Sequence, residues 1–320
     1  MYTIGIDLGG TGIKVGLCDD ALNILDKESA PTLSQRPPEE IVKDMADLTK
    51  KIIERNNLQI SDISSVGIAT PGTVDVETGT VIYSNNIPMK NFPMVEIYKK
   101  FLAVDRVYIE NDANAAALGE ALAGSAKDTD SSIMITLGTG VGGGIILGGK
   151  IFAGGINHAG GELGHTVINI DGRQCTCGRR GCLEAYCSAT ALTDMTKEKM
   201  HELKLKGIPS LLFDFAERDG RVSARTAFSA KSGGDKYGAE LVNEYIKNLA
   251  AGITNIVNVF QPETVCIGGG VSGERDNLIV PLAAIVNADQ YTRTNKSKTI
   301  IKVATLGNNA GIVGAAGLGR

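Results

Sequence analysis

The sequence predicts an α/β protein of two lobes, and three observations carry that prediction. Short β-branched runs alternate with helical patterns along most of the 320 residues, the arrangement that builds sheets flanked by helices. Glycines cluster directly after those runs, in GIDLGGTG, TLGTGVGGG and CIGGG, where they permit tight turns and close approach of backbone to a ligand. Finally, the pattern restarts midway: Asp7-Leu8-Gly9 overlays Thr136-Leu137-Gly138, and in both places a glycine turn joins two apolar strands. This short internal likeness reads as two lobes, each opening with a hairpin that faces a shared cleft.

Each element follows in order. Thr3–Ile6 and Lys14–Leu17 are strands around the first glycine turn, and a third strand lies near Leu25. Pro37 and Pro38 precede a helix in which Ile41, Val42, Met45, Leu48, Ile52 and Ile53 recur at helical spacing. Ile63–Ala69 is a buried-strand run ending at the turn dipeptide Pro71–Gly72. Val107–Glu110 is a strand that passes through Asn111–Asp112 into an alanine-rich helix, Ala113–Ala123, closed by Gly124. Ile133–Leu137 and Ile145–Leu147 are strands on either side of a glycine turn, Gly138–Gly144. Tyr237–Phe260 is a long amphipathic helix, Thr264–Ile267 a strand running into Gly268–Gly270, and Ala310–Leu318 a final helix. The stretch Lys206–Asp235, with its Ser, Gly and charged residues, is expected to be loose. The small lobe should hold residues 1–115, completed by 308–320, and the large lobe 116–307.

A hydrophobic content of 43% and a charged content of 21% are those of an ordinary globular chain. With a net charge of −4 there is no basic excess to drive binding to nucleic acid or anionic membrane. No apolar run approaches the roughly 18–20 residues of a membrane helix. The first residues lack a basic leader, and Asp7 interrupts the first apolar stretch, so the cytoplasm is the expected location.

The first glycine turn, Gly9-Gly10-Thr11-Gly12, fits either a plain tight hairpin or a nest of N–H groups for phosphate, with Thr11 and Lys14 adding a hydroxyl and a cation. It is neither a dinucleotide fingerprint nor a Walker loop, because no helix opens on it and no GKS or GKT follows. Asp7 lies within an apolar strand, where burial is costly unless it meets a cation or donors; Mg²⁺ bound through water would serve. Asn111–Asp112 allows two readings as well. Both residue types cap helices, yet a carboxylate fixed where strand ends converge can accept the proton of an alcohol.

His165, Cys175, Cys177 and Cys182 form the pattern H-x9-C-x-C-x4-C. Three thiolates and an imidazole are the ligand set of a closed structural zinc site, and in a reducing compartment such a cluster reads as metal ligands before disulfides. The plainer alternative is three incidental thiols. Cys18 and Cys266, beside strands, are packing residues. Glu162 precedes His165 by three residues and Glu184 follows Cys182 by two, so a bound ion would orient both carboxylates; rigid acceptors beside an imidazole suit a polyhydroxylated ligand.

Together these motifs resemble the ROK family of repressors, uncharacterised frames and sugar kinases, particularly its bacterial glucokinases. The resemblance spans the chain, through IGIDLGGTGIKVGL at 4–17, ATPG at 69–72, IENDANAAALGE at 109–120 and TLGTGVGGGII at 136–146. It continues in HAGGELGH at 158–165, CTCGRRGCLEAYCS at 175–188 and CIGGGVS at 266–272. It implies a two-lobed actin-like (ribonuclease H-like) ATPase fold with a zinc-bound loop. It implies Asp112 as general base, with Gly72, Asn86 (or Asn85), Asn111, Glu162, His165 and Glu184 around the sugar. Asp7, Gly9, Gly10, Thr11, Lys14, Thr139 and Gly140 would line the phosphate path, and Gly268, Gly269 and Gly270 would approach the adenosine. His165 would serve twice, one ring nitrogen on zinc and the other towards the sugar.

The expected activity is thus transfer of phosphate from ATP, with Mg²⁺, to the 6-hydroxyl of glucose, beside a structural Zn²⁺ and in a dimer or larger homo-oligomer. Kinases for N-acetylmannosamine, N-acetylglucosamine, fructose or allose share the pattern, and polyphosphate could replace ATP. An actin-like ATPase without a sugar acceptor is disfavoured by Asp112 and the two glutamates. The family's repressors carry a DNA-binding segment ahead of the sugar lobe. With the phosphate strand starting at Thr3, that reading is disfavoured.

Overall fold

The computed structural model describes residues 1–156 and 158–320. The chain opens with the predicted hairpin: β1 (Tyr2–Leu8) and β2 (Gly12–Cys18) pair antiparallel, with Asp7 opposite Lys14. β3 (Ile24–Pro31) pairs antiparallel with β2, and its alternation of half-buried and exposed residues suits its place at the sheet edge. Helix α1 (Pro38–Arg55) begins on a proline, whose missing N–H is no loss in a first turn, and buries Ile41, Val42, Met45, Ile52 and Ile53. After β4 (Ile63–Thr70), three short strands, β5 (Thr73–Asp75), β6 (Thr80–Ser84) and β7 (Met89–Phe92), make a separate antiparallel sheet. Helix α2 (Met94–Phe101) then leads to β8 (Val107–Asn111), and α3 (Asp112–Ala123) follows without a break.

The first sheet has the order β3-β2-β1-β4-β8. β4 runs parallel to both β1 and β8, which explains why its stretch Val66–Ala69 is apolar at every position rather than alternating. The restart seen in the sequence is a second sheet. It begins with β9 (Ser131–Leu137), β10 (Val141–Leu147) and β11 (Lys150–Ile151). Helices α4 (Glu184–Cys187), α5 (Ala189–Leu205), α6 (Leu211–Arg218), α7 (Ala224–Ser232) and α8 (Lys236–Phe260) follow. β12 (Thr264–Gly268), α9 (Asp276–Asp289), β13 (Ile300–Val303) and α10 (Ala310–Gly317) complete the chain. The second sheet's order, β11-β10-β9-β12-β13, repeats the first strand for strand.

Two expectations are corrected. The second glycine turn is confined to Gly138–Gly140, because β10 starts at Val141 and carries Gly142, Gly143 and Gly144 as strand residues. Gly144 lies so close to α3 that a Cβ there would meet that of Ala117 at 2.5 Å. Lys206–Asp235 is not loose but holds α6 and α7. Ser210 accepts from Leu212 N, Ser223 caps α7, and Asp235 binds both Leu211 N and Gly238 N. The polar residues that suggested a loop are caps and exposed faces.

Two compact units result, one of Met1–Met134, Gly144–Gly161 and Ala304–Arg320, the other of Ile135–Gly143 and Glu162–Val303. In the first, α10 is apolar on every side and wholly buried. The sheet accepts it at glycines: a Cβ on Gly5 would fall 1.9 Å from the Ile312 carbonyl oxygen, and one on Gly67 1.8 Å from that of Ala315. Cys18 and Cys266 are buried as packing residues. Among the described residues, no helix is long and apolar enough to cross a membrane.

Candidate active site

In the first unit the glycine turn is closed by Gly9 N donating to Gly12 O at 2.9 Å and braced by Thr32, whose hydroxyl donates to Gly9 O. Asp7 meets the cation its burial calls for: Lys14, its cross-strand partner, donates to Oδ2 at 2.8 Å. Asn86 lies beside this turn, its Cβ facing Gly10.

β4 and β8 end in register, Thr70 opposite Asn111, and at this edge helix α3 begins. Asn111 is the cap: its Oδ1 accepts from Ala113 N at 2.9 Å and Asn114 N at 3.2 Å, while Nδ2 donates to Gly72 O at 3.0 Å. Gly72 needs to be glycine, with φ of +98° and the Tyr83 carbonyl where a Cβ would be. Asp112 is the first residue of α3, half-buried, its Oδ1 accepting from Ala113 N at 2.9 Å. The helix dipole places partial positive charge at this end.

A further buried acid lies on β8, two residues before Asp112. Glu110 is 6% exposed, and its Oε1 accepts both from Asn111 N at 2.8 Å and from Asn114 Nδ2 at 3.1 Å. Burial pushes its carboxyl above the usual carboxylate range, against the pull of those hydrogen bonds. The signal was available: like Asp7, Glu110 is an acid inside an apolar strand.

The second unit gathers the other candidates. His165 closes a 3₁₀ turn, Leu163–His165, that begins directly after Glu162. Its Nδ1 lies 3.7 Å from Cys175 Sγ, and Cys177 Sγ lies 3.7 Å from Cys182 Sγ; all four ligand atoms fall within 4.8 Å of one another. Zinc–sulfur bonds of about 2.3 Å set tetrahedral edges of about 3.8 Å, so the cluster fits the ion the motif predicts. With Nδ1 turned to the cluster, Nε2 is the ring nitrogen left for another partner.

Glu184 opens α4 and is held from both sides. Its Oε1 accepts from the Thr176 hydroxyl at 3.0 Å, within the cysteine loop, and its Oε2 accepts from Val141 N at 3.0 Å, at the end of the glycine turn. A cavity of about 830 Å³ is lined by Thr139, Lys197, Arg221, Arg225, Gly270 and Glu274, among others. A smaller one, of about 200 Å³, includes Cys175, Thr176 and Glu184 and shares Thr139 with the first. Thr139 and Gly270 are among the sequence candidates, and this cavity brings them together; the charged residues of α5, α7 and the loop between α6 and α7 are not, since nothing in their spacing marks them. Gly269, with φ of +80°, presses on the Leu137 backbone after β12.

The model of the ROK family matches residues 3–320. A glucokinase of Halalkalibacterium halodurans is 35% identical over 314 residues, covering 98% of this chain and 93% of the relative. A glucokinase of Thermotoga maritima is 34% identical over 322 residues, covering 98% and 96%. Among solved structures, a ROK family glucokinase from Streptomyces griseus, in complex with glucose and AMPPNP, is 31% identical with a TM-score of 0.78, covering 99% of both chains.

Proposed function

Because the chain belongs to the ROK family, and so has its two-unit, actin-like α/β fold, we propose that it phosphorylates glucose at the 6-hydroxyl with ATP. The observation that carries this reading is that Asn111, not Asp112, caps α3. Asp112, whose Oδ1 also accepts from Ala113 N, keeps a carboxylate oxygen outside that pair and is the general base. It accepts the proton of the 6-hydroxyl as that oxygen attacks the γ-phosphorus in line. The similarity to bacterial glucokinases supports glucose as the acceptor.

The remaining sugar hydroxyls are bound by Asn111, Glu162, Glu184 and His165, with Gly72 and Asn86 beside them. Asn111 keeps a second amide hydrogen for this purpose, and His165 uses Nε2. Zinc, held by His165 Nδ1, Cys175, Cys177 and Cys182, would supply rigidity rather than reactivity. Thr139, Gly140 and the first glycine turn (Gly10, Thr11) offer N–H and O–H groups to the phosphates, while the N–H of Gly9 closes that turn onto Gly12 O. Asp7 is already neutralised by Lys14, so Mg²⁺ would be carried chiefly by the phosphates, with Asp7 reached through water, and would offset their charge. The nucleoside occupies the larger cavity, beside Gly268, Gly269 and Gly270.

The test is a coupled ADP-release assay over glucose, N-acetylmannosamine, N-acetylglucosamine, fructose and allose. Glucose should give the highest kcat/KM. A higher value for another sugar would reassign the substrate, and ATP turnover that ignores every sugar would overturn the kinase reading.

A further inference from the structure

The larger cavity holds one acid that differs from its neighbours. Asp194 pairs with Lys197 at 3.0 Å and Asp219 with Arg218 at 2.8 Å. Glu274, at the end of the 3₁₀ turn Gly270–Glu274 that follows β12, is half-buried. Among the described residues, neither a hydrogen-bond donor nor an ion-pair partner reaches its carboxylate. Burial raises its pKa, and the charge of Arg225 only partly opposes this. Unfilled acceptors on a partly desolvated carboxylate are unfavourable, and a ligand that brings donors removes that cost.

Charge decides which part of a donor molecule belongs there. The lining carries Lys197, Arg221 and Arg225 against Asp194, Asp219 and Glu274, a balanced set that gives no net attraction to a polyanion. A phosphate chain offers no N–H or O–H donor at neutral pH and would bring negative charge towards Glu274. A nucleoside is neutral and carries both kinds of donor. Building on the kinase reading, we propose that Glu274 is the specificity-determining residue for a nucleoside-bearing phosphoryl donor, accepting hydrogen bonds from its ribose hydroxyls or exocyclic amine.

Binding of ADP and of tripolyphosphate to the zinc-loaded protein, measured by calorimetry without sugar, tests this independently of turnover. Glu274→Ala should weaken ADP about tenfold, as expected for a hydrogen bond to a charged group, and leave tripolyphosphate within about twofold of its original affinity. Glu274→Gln, which keeps one acceptor and the side chain's shape, should fall between. 2′-Deoxy-ADP and IDP separate the two donor sources: the analogue whose deficit disappears in the alanine variant names the contacted group. Unchanged ADP affinity in both variants, or deficits for both analogues that persist undiminished in the alanine variant, would overturn the proposal. If ADP binds as expected but no sugar is phosphorylated, the kinase reading fails while the assignment of Glu274 to the nucleoside stands.

Discussion

Glu184 and Gly140 are in contact: a Cβ on Gly140 would lie 2.4 Å from Glu184 Oε2, the oxygen that accepts from the Val141 N–H. The second glycine turn and the cysteine loop therefore meet on a single carboxylate, and the turn must lack a side chain for the carboxylate to sit there. Gly140→Ala should displace Glu184 while sparing the core. Misplacing a binding group by an ångström or so costs up to about a hundredfold. Accordingly kcat/KM for glucose should fall by about ten- to a hundredfold, with a melting temperature close to the parent's. Steady-state kinetics beside thermal melting checks this; unimpaired kinetics would remove Glu184 from the sugar site.

The other oxygen of Glu184 gives a gentler probe. Thr176→Val removes the hydroxyl that donates to Oε1 but leaves the cysteine ligands in place. Loss of one hydrogen bond to a charged group should raise KM for glucose about tenfold. Zinc content by elemental analysis should be unchanged, which separates orientation of Glu184 from damage to the metal loop.

Zinc removal should have a complementary signature. The four ligands tie one loop to the turn before it, beyond what the bridges Val167–Cys182 and Gln174–Arg180 and the Arg173–Glu198 ion pair supply. Stripping the metal with a chelator should abolish glucose binding, because His165 and Glu184 lose their fixed orientation, while ADP binding persists in the cavity around Gly270. Calorimetry with each ligand, before and after chelation, measures both halves. Equal loss of both affinities would mean that the metal supports the whole second unit.

How legible the site was depends on sequence distance. The zinc ligands lie within one short stretch, and the spacing of His165, Cys175, Cys177 and Cys182 displayed them at once. The restart at Thr136 foretold a second sheet because equal hairpins need equal residues. By contrast, the bond from Val141 to Glu184 joins residues 43 positions apart, and no local pattern announces it. Glu274 looks like any charged residue after a glycine run until the cavity around it is seen. The helices α6 and α7 were hidden by their own caps and exposed faces, since Ser and Asp mark helix starts and loops alike. Glu110 carries the same signal as Asp7, an acid inside an apolar strand, but the cap residues directly after it mask that signal.

The central residue has its own test. Asp112→Asn keeps the size of the side chain and an oxygen able to accept from Ala113 N, so the start of α3 should persist. It cannot take a proton from the sugar. General-base removal typically costs about a hundred- to ten-thousandfold, and kcat should fall accordingly while glucose affinity, measured by calorimetry, stays within about threefold. Retention of a tenth of the parent kcat would be incompatible with the base role.

Glu110 yields a prediction in pH rather than rate. Its folded pKa is raised, chiefly by burial, so the native state holds that proton more tightly than the unfolded chain does. The stabilisation from the retained proton is therefore full below the ordinary carboxylate value of 4.5 and lost as pH climbs through the raised folded value. Glu110→Gln has no proton to lose, and because both hydrogen bonds fall on Oε1, an amide oxygen can accept both. The melting temperature of the variant should thus gain on that of the parent as pH rises from the ordinary carboxylate value through the raised folded value of Glu110. Parallel melting curves across that range, with a constant gap between the two proteins, would show that Glu110 titrates alike in the folded and unfolded chain. A gap that narrows with pH would mean that Asn111 and Asn114 hold Glu110 as an anion.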